Sequence, residues 1–312
     1  AEEQTAVGTL AVTDDAGDSI TFTVTGGVDS DKFAVSGSTL AFDGFTPNFE
    51  SPTGGSGNNS NTYEVQITAT DGGSLTDVET VSVTVVNANE APAITSASTA
   101  NFVENATSTV IDVAHSDVDS GDSIAYTLTG SVDDGLFDIV EGTGVITFKS
   151  APDFETKLGG TGNDSNDYVI EVTATDGGSL TDTQTITISV TNVNDNNPVF
   201  TTSAFTNVQE NQVVAGTAAA TDADSDSLTF TLAGAGADNA LFNITSGGAI
   251  TFKSAPDFET PLGGSSNNSN TYEITVNVND GSVDVVQAHT IAVINVNDCL
   301  LYTSDAADDG LS

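Results

Sequence analysis

The 312-residue sequence has no arginine, no methionine and no tryptophan, and its only cations besides two histidines are Lys32, Lys149, Lys157 and Lys253. Without cationic side chains to neutralise phosphates, nucleic-acid binding is excluded. Attraction to an anionic membrane surface is excluded for the same reason. No apolar run approaches the roughly 18 residues of a spanning helix, so no direct membrane insertion is expected of this stretch, and no signal peptide opens it. His115 and His289 lack any partner motif and read as satisfied or solvent-exposed strand residues. With no Ser-His-Asp order, no Gly-rich phosphate loop and no His/Cys cluster, no enzyme is expected.

What is present is acid. Asp and Glu number 45 and the formal net charge is −41, while 37% hydrophobic residues are enough for a core and set the chain apart from a disordered acidic tail. The one cysteine opens the string Cys299–Asp309, which resembles a translated sequencing-library adaptor and breaks a pattern running to Asp298. Residues 299–312 are therefore set aside as an artefact, and the cysteine says nothing about redox compartment.

The pattern is an internal repeat. Ala151-Pro152-Asp153-Phe154-Glu155 returns as Ala255-Pro256-Asp257-Phe258-Glu259 and is foreshadowed by Thr46-Pro47-Asn48-Phe49-Glu50. Ala69–Gly73 returns at Ala174–Gly178 and Val278–Ser282, and Asn87–Glu90 returns at Asn192–Asp195 and Asn295–Asp298. These landmarks keep one order at a spacing of roughly 105 residues, which predicts three tandem units: 1–91, 92–197 and 198–298. Glu2 aligns with Glu104 and Glu210, so the first unit is expected to lack the start of its first strand, and the chain to be cut from a longer array at both ends.

Within each unit the apolar period is two. Ile20, Phe22 and Val24 alternate with polar residues, as do Ile124, Tyr126 and Leu128, then Leu228, Phe230 and Leu232. Tyr168, Ile170, Val172 and Ala174 form a further strand, and Ile186, Ile188 and Val190 another. Alternation of this kind marks strands with one buried and one wet face. Gly, Asn, Asp and Ser clusters separate them, and no helical period is sustained. The expected fold is all-β: three tandem immunoglobulin-like Greek-key β-sandwiches.

The acids are placed at turns and unit junctions, where clustering costs repulsion unless a cation joins them, and six to eight hard oxygens are what calcium takes. In this order and at this period the motifs resemble the cadherin repeat family across residues 1–298. Glu104 and Glu210 match its first-strand glutamate, and Asp153/Glu155 and Asp257/Glu259 match its Asp-x-Glu loop. Asn192–Asn196 match its linker, Asp222-Ala223-Asp224 its Asp-x-Asp, and Asp280 its later aspartate.

The resemblance implies an elongated rod with calcium (Ca2+) bound between neighbouring repeats. It carries one near-complete ligand set: Glu104, Asp153, Glu155, Asn192, Asn194, Asp195, Asn196, Asp222, Asp224 and Asp280, with Asn194 and Asn196 offering backbone carbonyls. A poorer set comprises Glu2, Glu50, Asn87, Asn89, Glu90, Asp117, Asp119 and Asp176, because Asn48 and Glu90 stand where the family has aspartate. Asp14 and Asp71 at one end, and Glu210, Asp257, Glu259 and Asp298 at the other, are expected to form half-sites only. Asparagine at the first linker position, Asn87, Asn192 or Asn295, removes a charge from each set and implies either fewer ions or affinity of about 10⁻⁴–10⁻³ M.

The Gly/Asn/Ser loops Gly54–Asn61, Gly159–Asn166 and Gly263–Asn270 resemble the cadherin-like repeats of large bacterial surface proteins; each reads as a mobile surface loop or as an additional ion site. The function expected from this resemblance is a calcium-stiffened segment of a bacterial cell-surface or secreted adhesin, extracellular, that mediates or spaces cell adhesion. Its partners would be calcium, other repeats of the array, and a cell-surface protein or polysaccharide, with homophilic and heterophilic contact both open. The alternative is a spacer or carbohydrate-binding module of a secreted polysaccharide-degrading enzyme.

Overall fold

The computed structural model describes residues 1–15, 17–160, 162–234, 236–264 and 268–297. The tail 299–312 and Asp298 lie outside the described residues. Among these residues the chain is all-β, its only helical turns being the three-residue segments Ser30–Lys32, Asp134–Leu136 and Asn239–Leu241.

Three long antiparallel hairpins organise the strands: Thr62–Thr70 with Thr76–Thr84, Asp167–Thr175 with Thr181–Thr191, and Thr271–Asn279 with Asp284–Ile294. Their register follows the period-two pattern. Tyr168 faces Ile188 and Ile170 faces Ile186, and these four side chains are buried on one face while Val169 and Thr187, paired between them, lie on the other. The alternating segments foreseen in the sequence border these hairpins: Thr21–Gly26, Ala125–Leu128 and Thr229–Leu232 pair so that Phe22 faces Ala69, Tyr126 faces Ala174 and Phe230 faces Val278.

A second, shorter sheet closes each core. It consists of Ala6–Thr9, Thr39–Phe42 and Phe33–Ser36 in the first set of strands. The counterparts are Phe137–Ile139, Val145–Phe148 and Ile111–Asp112 in the second, and Val214–Thr217, Ala249–Phe252 and Phe242–Ile244 in the third. One aromatic triad recurs between the sheets: Phe33, Phe42 and Tyr63; Phe137, Phe148 and Tyr168; Phe242, Phe252 and Tyr272. Edge-to-face packing of each tyrosine on its phenylalanines contributes about 0.5–1.5 kcal/mol per pair beyond area burial.

In the later sheets another strand borders the hairpin, Thr99–Val103 in one and Val208–Gln209 in the other. Val199–Phe200 opens the third repeat and pairs antiparallel with Ala220–Thr221, and the strand after it, Val208–Gln209, runs parallel to the end of the repeat's last strand at Val293–Ile294. The chain divides into two compact units. The first comprises Ala1–Phe102, Ala106–Pro152 and Leu158–Ser189; the second comprises Val103–Asn105, Asp153–Lys157 and the chain from Val190 on.

One reading of the histidines is corrected. His115 is exposed and hydrogen-bonds the Tyr126 hydroxyl at 2.5 Å, as a satisfied strand residue should. His289 is neither satisfied nor exposed. It is buried against Phe200 and Phe205 with neither ring nitrogen hydrogen-bonded, because its position on Asp284–Ile294 falls on the inward face.

Candidate metal centre

The second compact unit contains the fuller acidic cluster. Glu104 follows Thr99–Val103, where its N–H binds Thr191 O and fixes the glutamate at the end of the strand. Its buried carboxylate then ties two segments together: Oε2 accepts the Phe154 N–H at 2.7 Å and Oε1 the Val193 N–H at 2.6 Å. Oxygens of Glu104, Glu155, Asp195 and Asp224 all lie within 4.8 Å of one another.

Asp224 is buried and accepts the N–H groups of Asp195 at 3.1 Å and Asn196 at 2.8 Å. Burial works to raise its pKa, yet those donors hold it below the usual carboxylate range. Glu155 is less well supported, with the Asn196 amide on Oε2 at 3.2 Å. Its Oε1 is buried without a hydrogen bond, and burial, followed by the charge of Glu104, pushes it up to about 7.

The linker asparagines enter through their amides. Asn196 donates to Glu155, Asp195 and Asp224, Asn192 to Asp224 O at 3.0 Å, and Asn194 to Asp280 O at 3.2 Å. Asp195 also receives the Asn105 amide at 2.6 Å. Asp153 stands outside the group of four. Its Oδ1 accepts the N–H groups of Glu155 and Thr156, an Asx turn that shapes the loop carrying Glu155. Asp222 and Asp280 each keep a buried Oδ2 without a hydrogen bond.

The first compact unit repeats the plan. Buried Glu2 accepts the N–H groups of Phe49 at 2.8 Å and Ala88 at 2.9 Å, and its carboxylate meets those of Glu50 and Glu90 within 4.8 Å. Glu90 is pushed up to about 7 by burial and then by the charge of Glu2, and burial raises Glu50 as well. Asp119 is held low by the Glu90 N–H at 2.8 Å and the Asn87 amide at 2.6 Å. Asn89 donates to Asp176 at 2.7 Å, and Asp117 Oδ2 is buried without a partner. Asn48 keeps the Asx turn of Asp153, accepting the Ser51 N–H at 2.6 Å, but supplies no charge. Glu210, Asp257 and Glu259 form a further group within 4.8 Å.

Two features escaped the sequence reading. Asp18 and Asp122 join Asp14/Asp71 and Asp117/Asp176 in compact groups; the available signal was a further acid four or five residues along each turn. The other is a buried aspartate per repeat, Asp29, Asp133 and Asp238, that anchors the Gly/Asn/Ser loop; recurrence at the repeat spacing was its signal.

A dication suits these donors. They are all hard oxygens, with no His or Cys in the acidic groups described above. Carboxylate oxygens of Glu50, Glu90, Asp117, Glu155, Asp222, Asp226 and Asp280 are buried yet receive no hydrogen bond. Lysine does not neutralise them: the ion pairs among the described residues are Lys32–Asp29 and Lys149–Asp138, outside the clusters.

Residues 98–191 match the family model of the cadherin domain. Mouse Protocadherin Fat 4 is 30% identical over 223 residues, which cover 64% of this chain and 4% of that protein. The Drosophila melanogaster Protocadherin-like wing polarity protein stan is 36% identical over 151 residues, 44% of this chain and 4% of the relative. This chain thus spans only a few per cent of the length of these curated relatives. Among solved structures, the Protocadherin GammaB4 extracellular domain superposes with a TM-score of 0.64 at 20% identity, covering 94% of this chain and 47% of that one. Mouse Cadherin-23 EC22-24 gives 0.60 at 21% identity, covering 95% and 93%. At these identities the structures establish the fold: immunoglobulin-like sandwich repeats of the kind found in tandem cadherin ectodomains.

Proposed function

We propose that this chain is a calcium-binding repeat segment of an extracellular or cell-surface adhesion protein, in which the ions stiffen the junctions between repeats. The observation that carries this reading is that carboxylate oxygens of Glu104, Glu155, Asp195 and Asp224, and those of Glu2, Glu50 and Glu90, gather within 4.8 Å with no lysine paired to them, while Glu50, Glu90 and Glu155 each keep a buried oxygen without a hydrogen-bond donor. Glu104, Glu155, Asp195 and Asp224 would hold ions at one junction, and Glu2, Glu50, Glu90 and Asp119 at the other. Calcium supplies the positive charge there. The protein's part is to fix the carboxylates, with Glu104 and Glu2 oriented by backbone N–H groups and the linker amides spacing the remainder.

The bacterial surface setting rests on the Gly/Asn/Ser loops. A sugar-stacking module is disfavoured, since Tyr63, Tyr126, Tyr168 and Tyr272 are all buried and so offer no flat aromatic face.

At millimolar calcium and a Kd of about 10⁻⁴ M, each independent site adds roughly 1.4 kcal/mol. For a domain of ~100 residues, each kcal/mol shifts Tm by about 4–8 °C. Thermal unfolding and small-angle scattering, in millimolar calcium and in excess chelator, test the proposal. Calcium should raise the midpoint and narrow the distribution of inter-repeat distances, and Asp195→Ala should blunt both effects. An unchanged midpoint and unchanged scattering at millimolar calcium would overturn it.

A further inference from the structure

His289, which the calcium reading leaves unused, occupies a position that is apolar in the other repeats. Buried aspartates align the long hairpins: Asp29, Asp133 and Asp238 accept the N–H groups of Glu64, Val169 and Glu273. The residues after these three, Val65, Ile170 and Ile274, face Val81, Ile186 and His289 across the ladder. An ionisable ring thus stands where the other two sandwiches keep an aliphatic side chain. It is 4% exposed, and neither ring nitrogen has a hydrogen-bond partner. A buried polar group left unpaired is costly and calls for an explanation.

The segment that covers this ring is also held differently. In the second repeat Thr99–Val103 is bonded into the sheet beside Thr181–Thr191, and Ser98 O accepts the Thr187 N–H at 3.0 Å. In the third, the ladder with the last strand shrinks to Val208–Gln209. The strap before it, residues 199–207, bonds elsewhere: Val199 and Phe200 pair with Thr221 and Ala220, and the Thr201 and Thr202 N–H groups donate to Ala219 O at 2.9 and 3.2 Å. Against the hairpin the strap is held by rings. Counted back from the aligned Glu104 and Glu210, Phe205 stands where the second repeat has Thr99. It packs edge-to-face with His289 at 4.9 Å between centroids, and Phe200 does so at 5.8 Å. The Phe205 ring fits because residue 216 is glycine; a Cβ there would lie 2.5 Å from Phe205 Cδ1.

We propose that His289 is the catch of an acid-released strap: protonation of its ring frees residues 199–207 from the hairpin while the rest of the third sandwich stays folded. An imidazolium in this slot gives up its water and finds no acceptor, and the attraction of two phenyl faces does not replace that hydration. Among the described residues packed against it, no carboxylate faces the ring. Residues 199–207, Val214–Thr217 beneath Phe205, and Thr229–Leu232, whose Phe230 meets Phe200, contain no titratable side chain. Glu273 on the neighbouring strand is on the exposed face, and Asp284 is at the far end of the strand that carries His289. Burial accordingly lowers the pKa of His289. In the released strap the ring returns to its ordinary value of about 6.5. The closed form is therefore favoured above that pH and loses about tenfold per pH unit below it, until the closed-state pKa is reached.

The device needs no calcium ion, so its failure leaves the junction reading untouched. Amide hydrogen exchange of the full chain in millimolar calcium, from pH 7 to pH 5 and corrected for the intrinsic pH dependence of exchange, tests it. Protection at Thr201 and Thr202 should fall about tenfold per pH unit below about 6.5, while Ile274 and Val276 in the hairpin keep theirs. In His289→Ile, which installs the residue of the second repeat, Thr201 and Thr202 should stay protected down to pH 5. Should that variant not fold, the imidazole resonance of His289 in the parent keeps the test decisive, because it should titrate over the same pH range in which strap protection is lost. Unchanged protection at Thr201 and Thr202 would overturn the proposal. So would parallel loss in the hairpin, which means unfolding of the whole repeat, or an equal loss in His289→Ile.

Discussion

His289 is a costly place for a histidine. Its ring is buried between Phe200 and Phe205, neither nitrogen has a partner, and Glu273 is the titratable side chain lining the same cavity. Burial pushes its pKa below the usual 6.5. The folded form therefore stays neutral where the unfolded chain takes a proton, so the stability present above about 6.5 is lost as pH falls below it. Glu155 and Glu90, raised to about 7, slope the other way in the absence of calcium: protonation favours the fold, and that contribution disappears as pH rises through 7. The effects separate by substitution. His289→Phe, which keeps the ring and removes the titration, should flatten the acid-side loss in thermal midpoints measured from pH 7 to pH 5. A loss as steep as in the parent would contradict this assignment. Nothing in the sequence around His289 distinguished it from His115. The difference is one of strand face, and the rings packed against His289, Phe200 and Phe205, lie far away in the chain.

At the scale of the element, each Gly/Asn/Ser loop is anchored at its described start by a buried aspartate. Asp133 Oδ1 accepts the Gly160 N–H at 3.0 Å and Oδ2 the Val169 N–H at 2.7 Å, while Gly159 and Ser165 form a β-bridge across the loop. Asp29 and Asp238 repeat both contacts. Glycine is required at the bridge, since a Cβ on Gly159 would lie 2.6 Å from Asp167 O, a backbone atom that cannot move aside. Asp133→Ala strands two donors and should cost about 1–3 kcal/mol for each one left buried and unsatisfied. Urea unfolding would measure that cost, and amide exchange at Gly160 and Val169 should accelerate. Unchanged exchange would show that the loop does not depend on the aspartate. The strands themselves were legible in the sequence, because Tyr168, Ile170 and Val172 announce their face by period alone. The junction acids were legible through recurring motifs. Asp133 was not: in a chain so rich in aspartate, one more acid before a turn looks solvated, and its partners stand 27 and 36 residues away. Asp18 and Asp122 were hidden in the same way among neighbouring acids.

For the whole molecule, a net charge of −41 means that some of the destabilisation in chelator is long-range repulsion and some is local. Raising monovalent salt from 0.01 to 0.15 M shortens the screening length from about 30 to about 8 Å. That should raise the midpoint in chelator by relieving the diffuse part. It should leave most of the calcium increment intact, because carboxylate oxygens within 4.8 Å of one another lie inside either screening length. A grid of thermal melts in sodium chloride, with and without calcium, would test this; a calcium increment abolished by 0.15 M salt would mean that the ions act only as diffuse counterions.

The parallel pairing of Val208–Gln209 with Val293–Ile294 has a mechanical consequence. Tension that reaches Val208–Gln209 from the N-terminal side and leaves through Val293–Ile294 slides the two strands lengthwise past each other. Their hydrogen bonds are loaded together in shear and cannot open one at a time like a zipper. Glu210 extends the clamp, its N–H bound to Ile294 O and its carboxylate holding the N–H groups of Phe258 and Val296. The acidic residue that organises the ligand loops is thus also the one across which a pulling force must pass.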